Sequence, residues 1–573
     1  MLCAAVAFAV AVWMATRPAL DGFFVGDEID QLATIEGVHV ASATPNDLWN
    51  LWRPGPASEL ARFEGTRAWY EPDVTYRMAF FRPLSSVAVR GLHAVGGRAP
   101  KPYHEASIVL LALLAVLAWR ALSTYVEPAV ALLAVGLVVL HPAFTDSLLF
   151  LCAIHTLIAP LLGLAAILLL HDPRTASLSR ATRIGAAAAL WAAALLAGEI
   201  TLPLLAVAGI VAVGLGTEGS WKQRATPYAL FAALGVGFLV YHTLAGYGAD
   251  GNGYADPRSS PGVAFTQTLR AVGVCGPQAL LGFTPSCAFV PFVGEEGHIL
   301  DVAPRLQLLA LVLGVVVLVA AAVLERGLRR PLAVLFVAAV VASIPAGFVQ
   351  PGTRQYLIPA MVTSTMLALA LVALARRAWA APGVVRVAGL VGLTIVLVGD
   401  AGLEVAARRR AMSVLGGMQF GPVIEEEQQC TEVLAHAETH AAATAPRLVL
   451  RAPPDLSVRS LRTCAPNHVP ANVWWNVGFA TAVRVSRPDA ATIMVEALPA
   501  SEDDYGRLPH LEGMVPPRQT SLGTYTVLEA KDGVMSRFQL ALAPSVHDPE
   551  AVVWVGDHLV PVELPPVGDS RTF

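Results

Sequence analysis

Hydrophobic positions along this chain gather into long uncharged runs separated by short polar or Arg-containing links. The runs occupy 1–16, 106–119, 128–145, 147–170, 184–198, 200–217, 225–249, 306–324, 331–353, 355–375 and 387–399. Hydrocarbon about 30 Å thick, crossed at 1.5 Å per residue, takes roughly 17–25 apolar residues. The pattern therefore predicts an α-helical polytopic membrane protein with about eleven spans. The shorter runs reach the interface through flanking residues such as Arg120, whose aliphatic stem can snorkel. Glu199 alone separates 184–198 from 200–217; together they are too long for one span, so a tight helical hairpin is predicted. Beyond residue 403 the runs stop. A polar helix is predicted over 425–442, and strands over 447–451, 523–529, 534–542 and 551–562. The expected organisation is a transmembrane domain over 1–403, with long loops at 17–105 and 250–305, followed by a small α/β soluble domain over 404–573.

Composition supports this division. Of 573 residues, 55% are hydrophobic and only 14% charged, against about 25% charged in an average soluble protein. Mean hydropathy is +0.58. A soluble enzyme is thereby excluded. The net charge of −4 is unevenly spread: residues 421–573 carry 11 basic and 19 acidic side chains, leaving 28 and 24 for 1–420. No basic cluster interleaved with aromatics is present, so nucleic-acid binding is not supported.

Orientation follows from where the arginines fall. With the N-terminus on the cytoplasmic side, the inner links hold Arg120; Arg174, Arg180 and Arg183; Lys222 and Arg224; Arg326, Arg329 and Arg330; and Arg376, Arg377 and Arg386. The outer links near 146 and 199 hold no basic residue, and the one near 350 holds Arg354. Segments 17–105, 250–305 and 404–573 then lie outside. Residues 1–16 lack a basic n-region and a clean cleavage site, which favours an uncleaved first span over a signal peptide. Cys275 with Cys287, and Cys430 with Cys464, share outer segments and read as two disulfides, with four free thiols the alternative, while Cys3 and Cys152 lie in apolar runs.

Chemistry concentrates at the outer face. Asp27 and Glu28, about ten residues past the first span, place carboxylates where an acceptor hydroxyl could lose its proton; a solvated acidic turn is the simpler alternative. Residues 84–95 put Leu84, Val87, Val89, Leu92 and Val95 mostly on one helical face, predicting an amphipathic helix in the interface. Arg82, His104, His155 and Arg354 all fall near outer ends of spans, where cations serve either a lipid phosphate or headgroup anchoring. Glu199 and Asp146 lie at outer turns, as helix caps or as functional carboxylates at the membrane edge. No His-x-x-x-His or Cys-x-x-Cys spacing supports a metal centre; Asp27, Glu28 and Asp146 could hold a divalent cation such as Mg or Mn.

Several stretches in order resemble the polytopic GT-C glycosyltransferases, especially the protein O-mannosyltransferase-like and tetratricopeptide-containing membrane mannosyltransferase-like branches. They are Phe80-Phe81-Arg82-Pro83-Leu84 with its interfacial helix and Tyr103-His104, Leu140-His141-Pro142 with Thr145-Asp146, Gly198 to Pro203, and Gly352 to Pro359. The resemblance covers about residues 1–400. Departures are Gly198 for the usual Lys, His155 for an Arg, and no aromatic-Gly continuation after the acids. The resemblance implies an inverting hexosyltransferase of a bacterial inner membrane. It would use a polyprenyl-phosphate sugar donor and a glycan, lipid or protein acceptor on the outer, periplasmic face. Asp27 would serve as base, Glu28 as an orienting acid, and Arg354, Arg82, His104 and His155 at the donor phosphate, with Asp146 and Glu199 in support. The alternatives are a lipid-linked saccharide flippase, which predicts broken helices at mid-membrane in paired halves, and a non-catalytic membrane scaffold with an outer binding domain.

Overall fold

A computed structural model describes residues 77–97, 99–141, 150–172, 177–216, 219–250, 254–272, 304–348 and 356–392 of the apolar part. Of the remainder it describes 447–451, 474–479, 482–499, 523–531, 534–544, 549–555 and 558–573, with short pieces at 48–52 and 517–519 and a few isolated positions. Two compact units contain them, one built mainly on Tyr76–Gly417 and the other mainly on Met418–Phe573. The predicted spans at 1–16 and at the end of 387–399, the polar helix over 425–442 and both predicted disulfide pairs lie outside the described residues.

The first unit is a helical bundle with a small sheet at one end. In chain order it comprises β1 (Asn50–Trp52), β2 (Arg77–Ala79), α1 (Pro83–Gly96), α2 (Lys101–Leu122), α3 (Pro128–Leu140), α4 (His155–His171), α5 (Arg180–Ala197) and α6 (Thr201–Leu215). There follow α7 (Trp221–Leu244), β3 (Gly248–Asp250), α8 (Pro261–Arg270), α9 (Pro304–Leu324), α10 (Arg329–Ser343) and α11 (Leu357–Ala380), then an apolar helix α12 (Gly383–Gly392). Among the described residues, five helical segments are long and apolar enough to cross a membrane: Lys101–Leu122, Leu151–His171, Trp221–Leu244, Arg326–Gly347 and Leu357–Ala380. The protein is a multi-pass membrane protein.

Two runs are shorter as helices than as apolar stretches. The run 128–145 stops being helical at Leu140, with His141 extended at ψ 133°. Pro142 follows, and its ring excludes the helical conformation from the residue before it. The run 147–170 divides into a 3₁₀ turn at Leu151–Ala153 and α4. The predicted break at Glu199 is present: α5 ends at Ala197, Gly198 is extended, and α6 begins at Thr201. Thr201 Oγ1 donates to the carbonyls of Ala194 and Gly198, closing the turn. Trp191 of α5 stacks on Phe231 of α7, rings 4.7 Å apart and nearly parallel, at the centre of the core.

The arginine-bearing links come to one end of the bundle and tie its helices together there. Arg120 grips Asp172 through two hydrogen bonds of 2.9 and 2.8 Å. Arg376 pairs with Glu127 and Arg377 with Glu325. Arg224 donates to the Val213 carbonyl, Arg330 to Gly214, Arg329 to Ala322 and Arg377 to Leu324. These carbonyls belong to the last turns of α6 and α9, which have no intrahelical donors and carry the negative end of the helix dipole. Four of the arginines expected on the inner face, Arg224, Arg329, Arg330 and Arg377, thus cap helix C-termini in space.

α1 packs on the bundle along a narrow stripe. Its buried positions are Ser85, Ser86 and Val89, while Val87 and Val95 are 55% and 87% exposed. Serine wins the contact because it lets backbones approach and supplies hydrogen bonds: Ser85 Oγ donates to the Ala197 carbonyl and Ser86 Oγ accepts from the Leu48 N–H.

In the second unit the strands predicted at 447–451 and 534–542 are β4 (Arg447–Arg451) and β10 (Val534–Leu542). The one predicted over 523–529 extends to β9 (Gly523–Lys531). The one predicted over 551–562 is two antiparallel strands, β11 (Glu550–Val555) and β12 (His558–Val562), flanking Gly556 and Asp557. Unpredicted are β5 (Trp474–Phe479), β6 (Val483–Asp489), β7 (Thr492–Ala497), β8 (Arg518–Gln519) and β13 (Ser570–Thr572). A six-stranded antiparallel sheet runs β13-β6-β7-β10-β9-β8. In a four-stranded sheet ordered β12-β11-β4-β5, β4 is parallel to both neighbours. Alternate residues Val483 and Val485, and Ile493, Val495 and Ala497, point into a core shared with Leu448, Tyr525 and Phe538, as a two-residue strand period requires.

Gly347 offers a test of the bundle. A Cβ there would lie 2.4 Å from the Thr268 Cα and 2.6 Å from its N, backbone atoms that cannot rotate away. Gly347→Ala is expected to cost about 1–3 kcal/mol, read as a lower unfolding midpoint in detergent. Gly91→Ala, where a Cβ meets nothing within 4 Å, should not lower it.

Candidate active site

At the end of the bundle away from the arginine links, α1, α4 and α6 begin and α5 and α7 end. Arg82 is the residue before Pro83 and so stays out of the helix it precedes, at φ −130° and ψ 56°. Its guanidinium is therefore held at the N-terminus of α1, where the dipole repels it. His155 opens α4, and Glu199 lies two residues before α6. These N-termini converge, and the Glu199 carboxylate supplies the negative charge they favour.

Arg82 Nε donates to Glu199 Oε2 at 2.9 Å, and Nη2 pairs with Oε1. Arg82 Nη1 lies 3.4 Å from His155 Nδ1, which is itself 2.9 Å from the Cys152 carbonyl oxygen. The guanidinium carbon sits 4.4 Å from the Phe80 ring centre and 5.7 Å from that of Trp49. Trp49 Nε1 donates to the Cys152 carbonyl at 2.8 Å, and its ring meets His155 edge-on at 5.8 Å. Arg82 is 7% exposed. Burial pushes the Glu199 carboxyl upward, but Arg82 and then His155 outweigh it and hold the group down at about 2.

A second ionic cluster stands at the same end. Asp256, 6% exposed, accepts from Arg77 Nη2 at 3.0 Å and from Arg258 Nε at 2.8 Å. Asp250 accepts from the Asp256 N–H and from Ser259 Oγ. Antiparallel pairing of β2 with β3 sets Arg77 opposite Asp250. Gly248, at φ +132°, leaves room for both guanidiniums, each within 4 Å of where its Cβ would stand. Hydrogen bonds from Arg258 are the leading reason the Asp256 carboxyl titrates below its ordinary value.

The structure brings Arg82, His155 and Glu199 together across 117 positions of sequence. His104 is buried in the first turn of α2, its Nδ1 2.9 Å from the Leu148 carbonyl oxygen. Asp27, Glu28, Asp146 and Arg354 lie outside the described residues. Among the described residues no group of three His, Cys, Asp or Glu could hold a metal ion. Sequence reasoning passed over Arg77, Asp256 and Arg258. The Asp256-Pro257-Arg258-Ser259-Ser260 stretch carries a turn signal, but nothing in it points to Arg77, 179 positions away.

No family model matches the sequence, and no curated protein matches it. Among solved structures, ArnT from Cupriavidus metallidurans bound to undecaprenyl phosphate is similar over 96% of this chain and 99% of its own, at 12% identity and TM-score 0.41. Its apo form is similar over 82% and 84%, at 13% identity and TM-score 0.42. The Archaeoglobus fulgidus oligosaccharyltransferase tethered to an acceptor peptide is similar over 81% of this chain, at 12% identity and TM-score 0.43. The chain spans 63% of that oligosaccharyltransferase's length.

Removing one member of the Arg82–Glu199 pair strands the other. Arg82→Met is expected to cost about 1–3 kcal/mol, with the double variant Arg82→Met, Glu199→Gln recovering part of it in a thermodynamic cycle closed by Glu199→Gln. Because the folded-state carboxyl is depressed, the stability it contributes is complete above the ordinary 4.5 and is lost as pH falls towards about 2. The gap in unfolding midpoint between wild type and Glu199→Gln should narrow over that window.

Proposed function

We propose that the protein is a GT-C-type membrane glycosyltransferase of a bacterial inner membrane that moves a hexose from a polyprenyl-phosphate carrier to an acceptor on the outer face, with inversion. The observation that carries this reading is the buried Arg82, ion-paired to Glu199 beside His155, where helix N-termini meet at the end of an apolar bundle. Cations and helix N-termini at that depth suit an anionic headgroup whose tail stays in hydrocarbon. The ordered motifs in residues 1–400 support the same reading.

In this mechanism the Asp27 carboxylate takes the proton of the acceptor hydroxyl, and the oxygen attacks the anomeric carbon from the face opposite the carrier. The bond from that carbon to the phosphate oxygen breaks, and the polyprenyl phosphate leaves with the electron pair. Glu28 orients the reacting sugar or acceptor. Arg354 and Arg82 bind the departing phosphate. Glu199 occupies Nε and Nη2 of Arg82, so Nη1, on the His155 side, is the edge left for the phosphate.

Incubating the purified protein with a panel of radiolabelled polyprenyl-phosphate sugars should show one label consumed. Asp27→Asn should lower transfer by about 100-fold or more while protein level and donor binding persist; full activity in that variant would remove Asp27 from the mechanism. Orientation has its own test. Single cysteines at Lys222 and Arg386 should be shielded from a membrane-impermeant thiol reagent in intact cells, whereas one at Ser259 should react.

A further inference from the structure

His242, in the last turn of α7, belongs to neither ionic cluster, and the sequence reading gave it no role. Its ring lies between Phe238 and Tyr247, centroids 5.7 and 5.5 Å away. Its Nε2 is buried and has no hydrogen-bond partner among the described residues. Four charged groups act on it, from both clusters: Glu199, Arg82, Arg258 and Arg77. The Arg77 Nε is likewise buried without a partner among the described residues. Phe81, next to Arg82, packs on Tyr241 and Tyr247, ring centres 4.9 and 5.2 Å away, and walls the same side.

An imidazole nitrogen left without a partner in a buried place costs free energy that a folded chain ordinarily avoids. The two clusters match three guanidiniums, of Arg77, Arg82 and Arg258, with the carboxylates of Glu199, Asp250 and Asp256, so what they offer an anion is unused donors. An Nε2–H on His242 and the unpartnered Nε–H of Arg77 suit a phosphoryl oxygen.

We infer that His242 Nε2 is a hydrogen-bond donor to a phosphate bound between the Arg82–Glu199 pair and the Arg77–Asp256–Arg258 cluster, making the two clusters halves of one anion site. This deepens the glycosyltransferase reading and rests on it only for the source of the phosphate, a lipid carrier rather than a free anion.

The test measures binding of undecaprenyl phosphate in detergent and, separately, of inorganic pyrophosphate, to the full-length protein. His242→Leu should weaken undecaprenyl phosphate binding about tenfold or more, while His242→Gln, which retains an N–H donor, should stay within about threefold of wild type. Arg258→Met should weaken it in the same direction and flatten its salt dependence. If His242→Leu fails to fold, His242→Gln and Arg258→Met decide: an Arg258→Met protein binding like wild type overturns the inference. Lipid phosphate binding that ignores His242 overturns the inference and leaves the glycosyltransferase reading standing. His242-dependent binding of pyrophosphate alone supports the anion site and overturns the lipid-carrier reading. Binding of neither probe by wild type overturns both.

Discussion

A charge can be kept inside an apolar bundle only where an opposite charge meets it. That constraint organises the helical unit. Water is absent from the hydrocarbon layer, so ionised side chains and unpaired backbone groups must find partners within the protein or retreat to the ends. The described charges do both: they gather at the two ends of the bundle, and several of them are held there in ion pairs.

The two ends meet the constraint with different chemistry. At one, arginines donate to the last carbonyls of α6 and α9 and pair with Asp172, Glu127 and Glu325. Positive charge there complements helix C-termini. At the other, α1, α4 and α6 begin beside the ends of α5 and α7; Glu199 lies next to the N-terminus of α6, and Arg82 balances it.

The positioning of Arg82 shows how local rules and packing combine. Pro83 keeps Arg82 out of the helix, Ser85 anchors the first turn of α1 to the end of α5, and Phe80 and Trp49 cover the guanidinium. Each contact is modest. Together they hold a guanidinium where solvation would otherwise draw it out, and they leave its Nη1 edge towards His155.

Sequence by itself determined the membrane class, the break at Glu199, the clustering of arginines on one set of links and the change of character after residue 403, because each depends on local hydrophobicity and charge. It also marked Arg82, His155 and Glu199, since rare charges near span ends stand out. Tertiary structure alone decided that these three meet, that α1 turns Ser85 and Ser86 to the bundle along with Val89, and that Arg77 and Arg258 share Asp256. Those outcomes depend on which helix ends and strands lie side by side, and periodicity along one segment carries no information about its neighbours. The helix end after Leu140 belongs between the two: Pro142 signals it locally, but an uncharged run reads straight through it when hydropathy is the only measure.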